Sequence, residues 1–144
     1  MQILKTTLAI LLAISINPVC YAFSSIVSNP DSSNTCPAEN IIQQIGTTYT
    51  APGGWTGQVQ KNPGKIKAFE MVLYKPNDTD HPFKEGQLLR CSYKLDNDTH
   101  VDLRLSISND KAHISDPTNW EAAYGGNQYD CSKSRLACKF NLAK

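Results

Sequence analysis

The chain has 144 residues, with 14 Lys and Arg against 13 Asp and Glu, and 5 Cys. That is one domain's worth of chain behind a short leader. A balance this close to neutral, with no basic block, leaves no electrostatic footprint for nucleic acid or an anionic membrane surface.

Residues 1–22 read M-Q-I-L-K-T-T-L-A-I-L-L-A-I-S-I-N-P-V-C-Y-A. One lysine, an apolar run from Leu8 to Ile16, a break at Pro18 and small residues at Cys20 and Ala22 form the layout of a secretory signal peptide, with cleavage predicted after Ala22. The run is too short to cross a bilayer as a helix, which takes about 20 apolar residues, and no stable membrane insertion is expected. Cys20 fits a lipoprotein signal poorly, because such signals favour a leucine three places earlier and a small residue just before, where this chain has Asn17 and Val19. The mature chain from Phe23 loses only Lys5 and carries 13 basic (14 less 1) and 13 acidic residues. It is expected in the periplasm or outside the cell.

Residues 23–35, F-S-S-I-V-S-N-P-D-S-S-N-T, predict a flexible leader, and residues 36–144 a single β domain. Ile41 to Thr50, rich in Ile and Thr, reads as a strand. A-P-G-G-W-T-G then predicts a turn into a short strand from Trp55 to Gln60, and K-N-P-G another turn. Ile66 to Tyr74 is apolar on both faces, which predicts a central strand.

The clearest hairpin follows. Leu88 to Leu95 alternates Leu89, Cys91 and Tyr93 with Arg90, Ser92 and Lys94, while His100 to Ile107 alternates Val101, Leu103, Leu105 and Ile107 with His100, Asp102, Arg104 and Ser106. Inward residues must face inward residues, which leaves two registers two residues apart. One opposes Lys94 with Asp102, Tyr93 with Leu103 and Cys91 with Leu105; the other sets Arg90 against Arg104. Charge pairing favours the first. Beyond Ser108 the signal weakens to a helical turn at Thr118 to Tyr124 and short strands at Gln128 to Cys131 and Ala137 to Leu142. The fold class is all-β, a compact antiparallel sandwich or barrel of six to seven short strands with two disulfides.

The four mature cysteines, Cys36, Cys91, Cys131 and Cys138, read as two disulfides in an exported chain. Three pairings are possible. Cys131 and Cys138 lack the close pairing of a structural zinc site and the C-x-x-C of a redox motif. Short loop closure across S-K-S-R-L-A favours Cys131 with Cys138 as a staple closing the last hairpin, leaving Cys36 with Cys91.

The polar stripe of His100, Asp102, Arg104 and Ser106 contains the residue types of a hydrolase, with His113 a further imidazole. A solvated sheet face explains it more simply. No G-x-S-x-G elbow occurs, so no catalytic residue is assigned. N-D-T at Asn77 and Asn97 matches a glycosylation acceptor. Asp78, Asp80, Asp96 and Asp98 could offer oxygens to calcium, but the spacing of a calcium loop is missing and turn chemistry accounts for them. No metal and no cofactor is expected.

Trp55, Trp120 and Tyr124 are the candidate binding residues, since loop aromatics on a sandwich can stack on sugars or anchor a protein, although a small domain also needs large side chains in its core. The function expected is a non-enzymatic exported domain that binds a glycan or protein of the envelope or the extracellular space. A small secreted hydrolase or toxin using His100 and Asp102 and a structural envelope component are the alternatives.

Taken in order, C-P at Cys36, P-G-G-W-T-G at Pro52, L-x-C-x-Y at Leu89, V-D-L-x-L at Val101, Trp120, G-G at Gly125, Cys131 and C-x-F at Cys138 resemble a family of small exported bacterial domains of unknown function. The resemblance runs from Cys36 to about Phe140. It implies a bacterial exported protein with paired cysteines and no activity to place on any residue.

Overall fold

The computed structural model describes residues 34–143; the expected signal peptide and all but the last two residues of the leader lie outside them. Those two are tied to the domain: the Asn34 carbonyl accepts the Phe140 N–H at 3.0 Å, and the Thr35 hydroxyl accepts Arg135 Nη1 at 2.9 Å. The strands in chain order are β1 (Gln43–Ile45), β2 (Thr48–Ala51), β3 (Trp55–Gln58), β4 (Ile66–Pro76), β5 (Gly86–Leu95), β6 (His100–Leu103), β7 (Lys111–His113), β8 (Glu121–Ala123), β9 (Gln128–Cys131) and β10 (Asn141–Leu142). They form two antiparallel sheets, β1-β2-β3 and a curled β10-β7-β5-β4-β9-β8 in which β6 also pairs with β5. Among the described residues no helix is long and apolar enough to cross a membrane.

β4 is central, as its two apolar faces predict, with β5 on one edge and β9 on the other. The far edge of β5 is divided between β7, opposite Gly86 and Gln87, and β6, opposite Cys91 to Lys94. The smaller sheet joins β6 at its end, where Thr56 and Arg104 exchange backbone hydrogen bonds of 3.0 and 2.8 Å. Gly57 makes this approach possible: a Cβ there would strike the Asp102 carbonyl oxygen and stand 2.8 Å from Leu103 Cδ2. Tyr49 and Trp55 thereby close over Tyr74, Tyr93, Val101, Leu103 and Phe140 in one core. Two buried hydroxyls are satisfied by carbonyls, Tyr93 donating to Pro37 at 2.6 Å and Tyr49 to Gly64 at 2.5 Å, while the Tyr74 hydroxyl has no hydrogen-bond partner among the described residues. Burial raises both phenols above their usual range.

The disulfides join Cys36 to Cys91 and Cys131 to Cys138. Their geometry in the chain differs from expectation at the second pair. β9 ends at Cys131, the backbone turns on the Ser134 carbonyl, and the strand after Cys138 is β10, whose partner is β7. The bridge therefore clips a crossing of the chain over the sheet, and closes no hairpin.

Four local expectations are corrected. The β5–β6 register is the other of the two, with Ser92 opposite Asp102 and Cys91 opposite Leu103. The turn decides it: Leu95 N–H bonds to Thr99, Asp98 N–H bonds to Leu95, and Asp98 takes a left-handed φ of 61°, which closes a three-residue loop. Ile41 to Thr50 is a short 3-10 turn and then the β1–β2 hairpin, because Gly46 with φ 60° permits a two-residue connection. The segment read as a helical turn ends in strand β8, since β9 offers it a ladder. In β5 the ladder passes from Arg90 to Leu88, so Leu89 is an extra residue in a bulge; Leu88 enters the core instead, and Ile107 lies exposed beyond the end of β6.

Loop-closure entropy separates the two disulfides, which span 55 and 7 residues. Replacing Cys36 and Cys91 by alanine should cost about 4 kcal/mol and replacing Cys131 and Cys138 about 2 kcal/mol, in the chain-entropy picture. Urea unfolding of the two double variants measures the order. Gly57→Ala should lose about 1–3 kcal/mol in the same assay, the usual cost of forcing a group into a packed contact.

Candidate functional site

The face of the large sheet turned away from the core carries Leu73 of β4, Arg90 and Ser92 of β5, Asp102 of β6 and, just past it, Arg104. Leu73 is 4% exposed, yet unlike every other buried leucine, isoleucine, valine and aromatic side chain of the described residues it stands outside the core cluster. It helps line a cleft of about 330 Å³ together with Leu89, Arg90, Arg104, Tyr124 and Gln128. The bulge puts Leu89 there, and the β4–β9 ladder brings in Gln128, two residues from Asp130, the partner of Leu73.

Asp102 organises the charges. Its Oδ1 accepts the Ser92 hydroxyl at 2.6 Å, and its Oδ2 faces Arg90 Nη1 at 3.2 Å and Arg104 Nη2 at 3.5 Å. One carboxylate oxygen thus serves two guanidinium groups, and the cluster keeps a net positive charge. Arg90 Nη2 donates to the Tyr124 hydroxyl at 3.4 Å, while Arg90 Nε is buried with no hydrogen-bond partner among the described residues.

Tyr124 sits in the turn joining β8 to β9, where Tyr124, Gly125 and Gly126 all take left-handed φ values of 49°, 76° and 86°. The two glycines adopt this freely, but a tyrosine there costs on the order of 1–3 kcal/mol. The ring is 64% exposed beside the cleft.

Trp55 and Trp120 go elsewhere. They are 2% and 6% exposed, packed on Phe140 and Tyr74 with ring centroids 6.4 and 6.0 Å apart, so neither offers a ring face to a ligand. His100 Nδ1 lies 2.6 Å from Glu70 Oε2, and Asp102 is engaged by Ser92 and the arginines; among the described residues the two form no pair with each other. His113 is exposed on β7. Asn97 accepts from Thr99 at 2.6 Å and donates to the Asn62 carbonyl at 2.6 Å, so its side chain braces the β5–β6 turn.

Sequence reasoning named Tyr124 and, as a solvated stripe, Arg90, Asp102 and Arg104; it missed Leu73, Leu89 and Gln128. The Leu88–Leu89 doublet interrupting an alternating strand was the available signal, since of two adjacent apolar residues in a pleated strand only one faces the core and the other must find cover on the outer face.

A sequence profile for the family described as protein of unknown function (DUF3757) matches residues 30–141. Nothing matches among curated proteins or among solved structures.

The hairpin that carries Tyr124 holds a strained acid. Burial, and then Glu121 directly across the ladder, raise the Asp130 carboxyl above its ordinary range. Well below the ordinary carboxyl value of 3.8 the group is neutral in both folded and unfolded chains and has no effect. As pH rises through its elevated value the folded state must accept a disfavoured charge, and stability falls. Asp130→Asn should therefore raise Tm at pH 7 and leave it unchanged at pH 3, which circular dichroism melts at the two pH values would show.

Proposed function

The chain belongs to the DUF3757 family, whose proteins are of unknown function, and from that premise we propose that it is a non-enzymatic binding domain of the envelope or extracellular space. Its ligand is a glycan or protein group, and its site is the Leu73 cleft. The observation that carries this reading is the buried leucine outside the core, roofed by Arg90, Arg104, Tyr124 and Gln128. An apolar floor with a few convergent polar groups is the usual makeup of a ligand site.

Two further features support it. The strain at Tyr124 holds a large ring beside the cleft at an energetic cost, a pattern that concentrates at functional positions. Two disulfides suit an oxidising compartment, where a secretory leader would deliver the chain. The hydrolase alternative has less support, because His100 is hydrogen-bonded to Glu70 and the Ser92 hydroxyl donates to Asp102, leaving no imidazole-activated hydroxyl among the described residues.

The full chain, expressed with its own leader and purified from the periplasm, should bind a subset of an immobilised bacterial and host glycan and protein array. Tyr124→Ala should weaken that binding at least tenfold, with Ile107→Ala, an exposed change away from the cleft, leaving it intact. Binding that is indifferent to Tyr124→Ala and Arg104→Ala together would move the site off the cleft.

A further inference from the structure

We propose that the cleft accepts a carboxylated sugar residue, its carboxylate held by Arg104 and its ring laid on Leu73 and Leu89. This rests on the reading of the cleft as a binding site and adds the chemistry of its ligand. Arg90 and Arg104 share a single oxygen of Asp102, whose other oxygen belongs to Ser92. A guanidinium has five N–H donors, so donors far outnumber the acceptors at hand. Arg104 is 59% exposed, and its only ion pair in the described residues is the long 3.5 Å contact to Asp102. Its fork is open to a planar, singly charged partner, and a carboxylate matches it with two parallel bonds. Arg90, Arg104 and Asp102 together carry one positive charge, and Asp130, opposite Leu73 on the same face, adds a carboxylate that disfavours a phosphate dianion more than a monoanion.

The remaining walls decide between a sugar and an acidic peptide. The cleft lies on a sheet face, where β4 is paired on both edges and the far edge of β5 is uncovered only at Leu89 and Arg90, between β7 and β6. A bound peptide would find at most a two-residue gap to extend, too short for the ladder that gives strand addition its affinity. A sugar needs none. The apolar face of its ring can rest on the two leucines and against the exposed Tyr124 ring, while the Gln128 amide meets its hydroxyls. A volume of about 330 Å³ is at the small end for ligand sites, enough for a single terminal residue.

The test is an amide-resonance titration of the full exported protein, isotope-labelled and held at constant ionic strength. The probes are glucuronate, glucose, inorganic phosphate and a tetra-aspartate peptide. Glucuronate should shift the signals of Leu73, Arg104, Tyr124 and Gln128, with glucose and phosphate at least tenfold weaker. Arg104→Gln, at an exposed position that the fold tolerates, should cost glucuronate at least tenfold and leave glucose unchanged. Equal binding of glucose and glucuronate overturns the acidic-sugar inference, and if Tyr124→Ala still abolishes both, the cleft remains the site. Tighter binding of the peptide or of phosphate, or no movement of these resonances with any probe, also overturns the inference.

Discussion

A three-residue turn sets where the charged groups of this protein stand. Asp98 in the left-handed region closes Asp96-Asn97-Asp98 between β5 and β6, and every pairing beyond it is counted from there. Asp is one of the few side chains that tolerate this conformation. The turn is also held from outside: Asp96 accepts the Lys65 N–H at 2.9 Å, its own N–H bonds to the Lys65 carbonyl at 3.0 Å, and Asn97 donates to Asn62. Against these backbone bonds, an exposed charge pair worth at most about 1 kcal/mol cannot move the register. The consequence is that Asp102 faces Ser92 and stands between two arginines, where the other register would have given it Lys94.

The same register carries Arg104 to the end of the ladder, where its backbone receives Thr56 and the smaller sheet is anchored. Anchoring requires Gly57, because the β3 backbone lies against the Asp102 carbonyl. Tyr49 and Trp55 then have a wall to pack on, and Cys91, opposite Leu103, meets Cys36 inside the core. One turn, one glycine and one long-range disulfide are thus coupled, and the polar groups of the cleft are placed by the same backbone that closes the core beneath it.

The cleft itself arises from an irregularity. A regular β4–β5 ladder would keep its outer face flat and solvated, as polar alternation suggests. The bulge at Leu89 adds an apolar residue to that face beside Leu73, and the left-handed Tyr-Gly-Gly turn raises a ring next to it. Two leucines on the polar side of a sheet would be a liability without cover, and the arginine stems, Tyr124 and Gln128 supply it.

Much of the chain could be read without its fold. Alternation identified β5 and β6 and, apart from Leu89 and Ile107, their inward faces, two-sided apolarity identified β4 as central, and four cysteines with one short loop between two of them gave the disulfide pairing. These are local signals, set by side-chain period and by chain length between two points. What required the tertiary structure was everything fixed by distant partners: the register held by residues 62–65, the exchange of Leu88 for Leu89, the departure of Trp55 and Trp120 into the core while Tyr124 stayed outside, and the strand order that makes the last disulfide a clip across the sheet. Each depends on backbone groups that are far apart in sequence and meet only when the sheet forms, so no window of the chain contains both halves of the interaction.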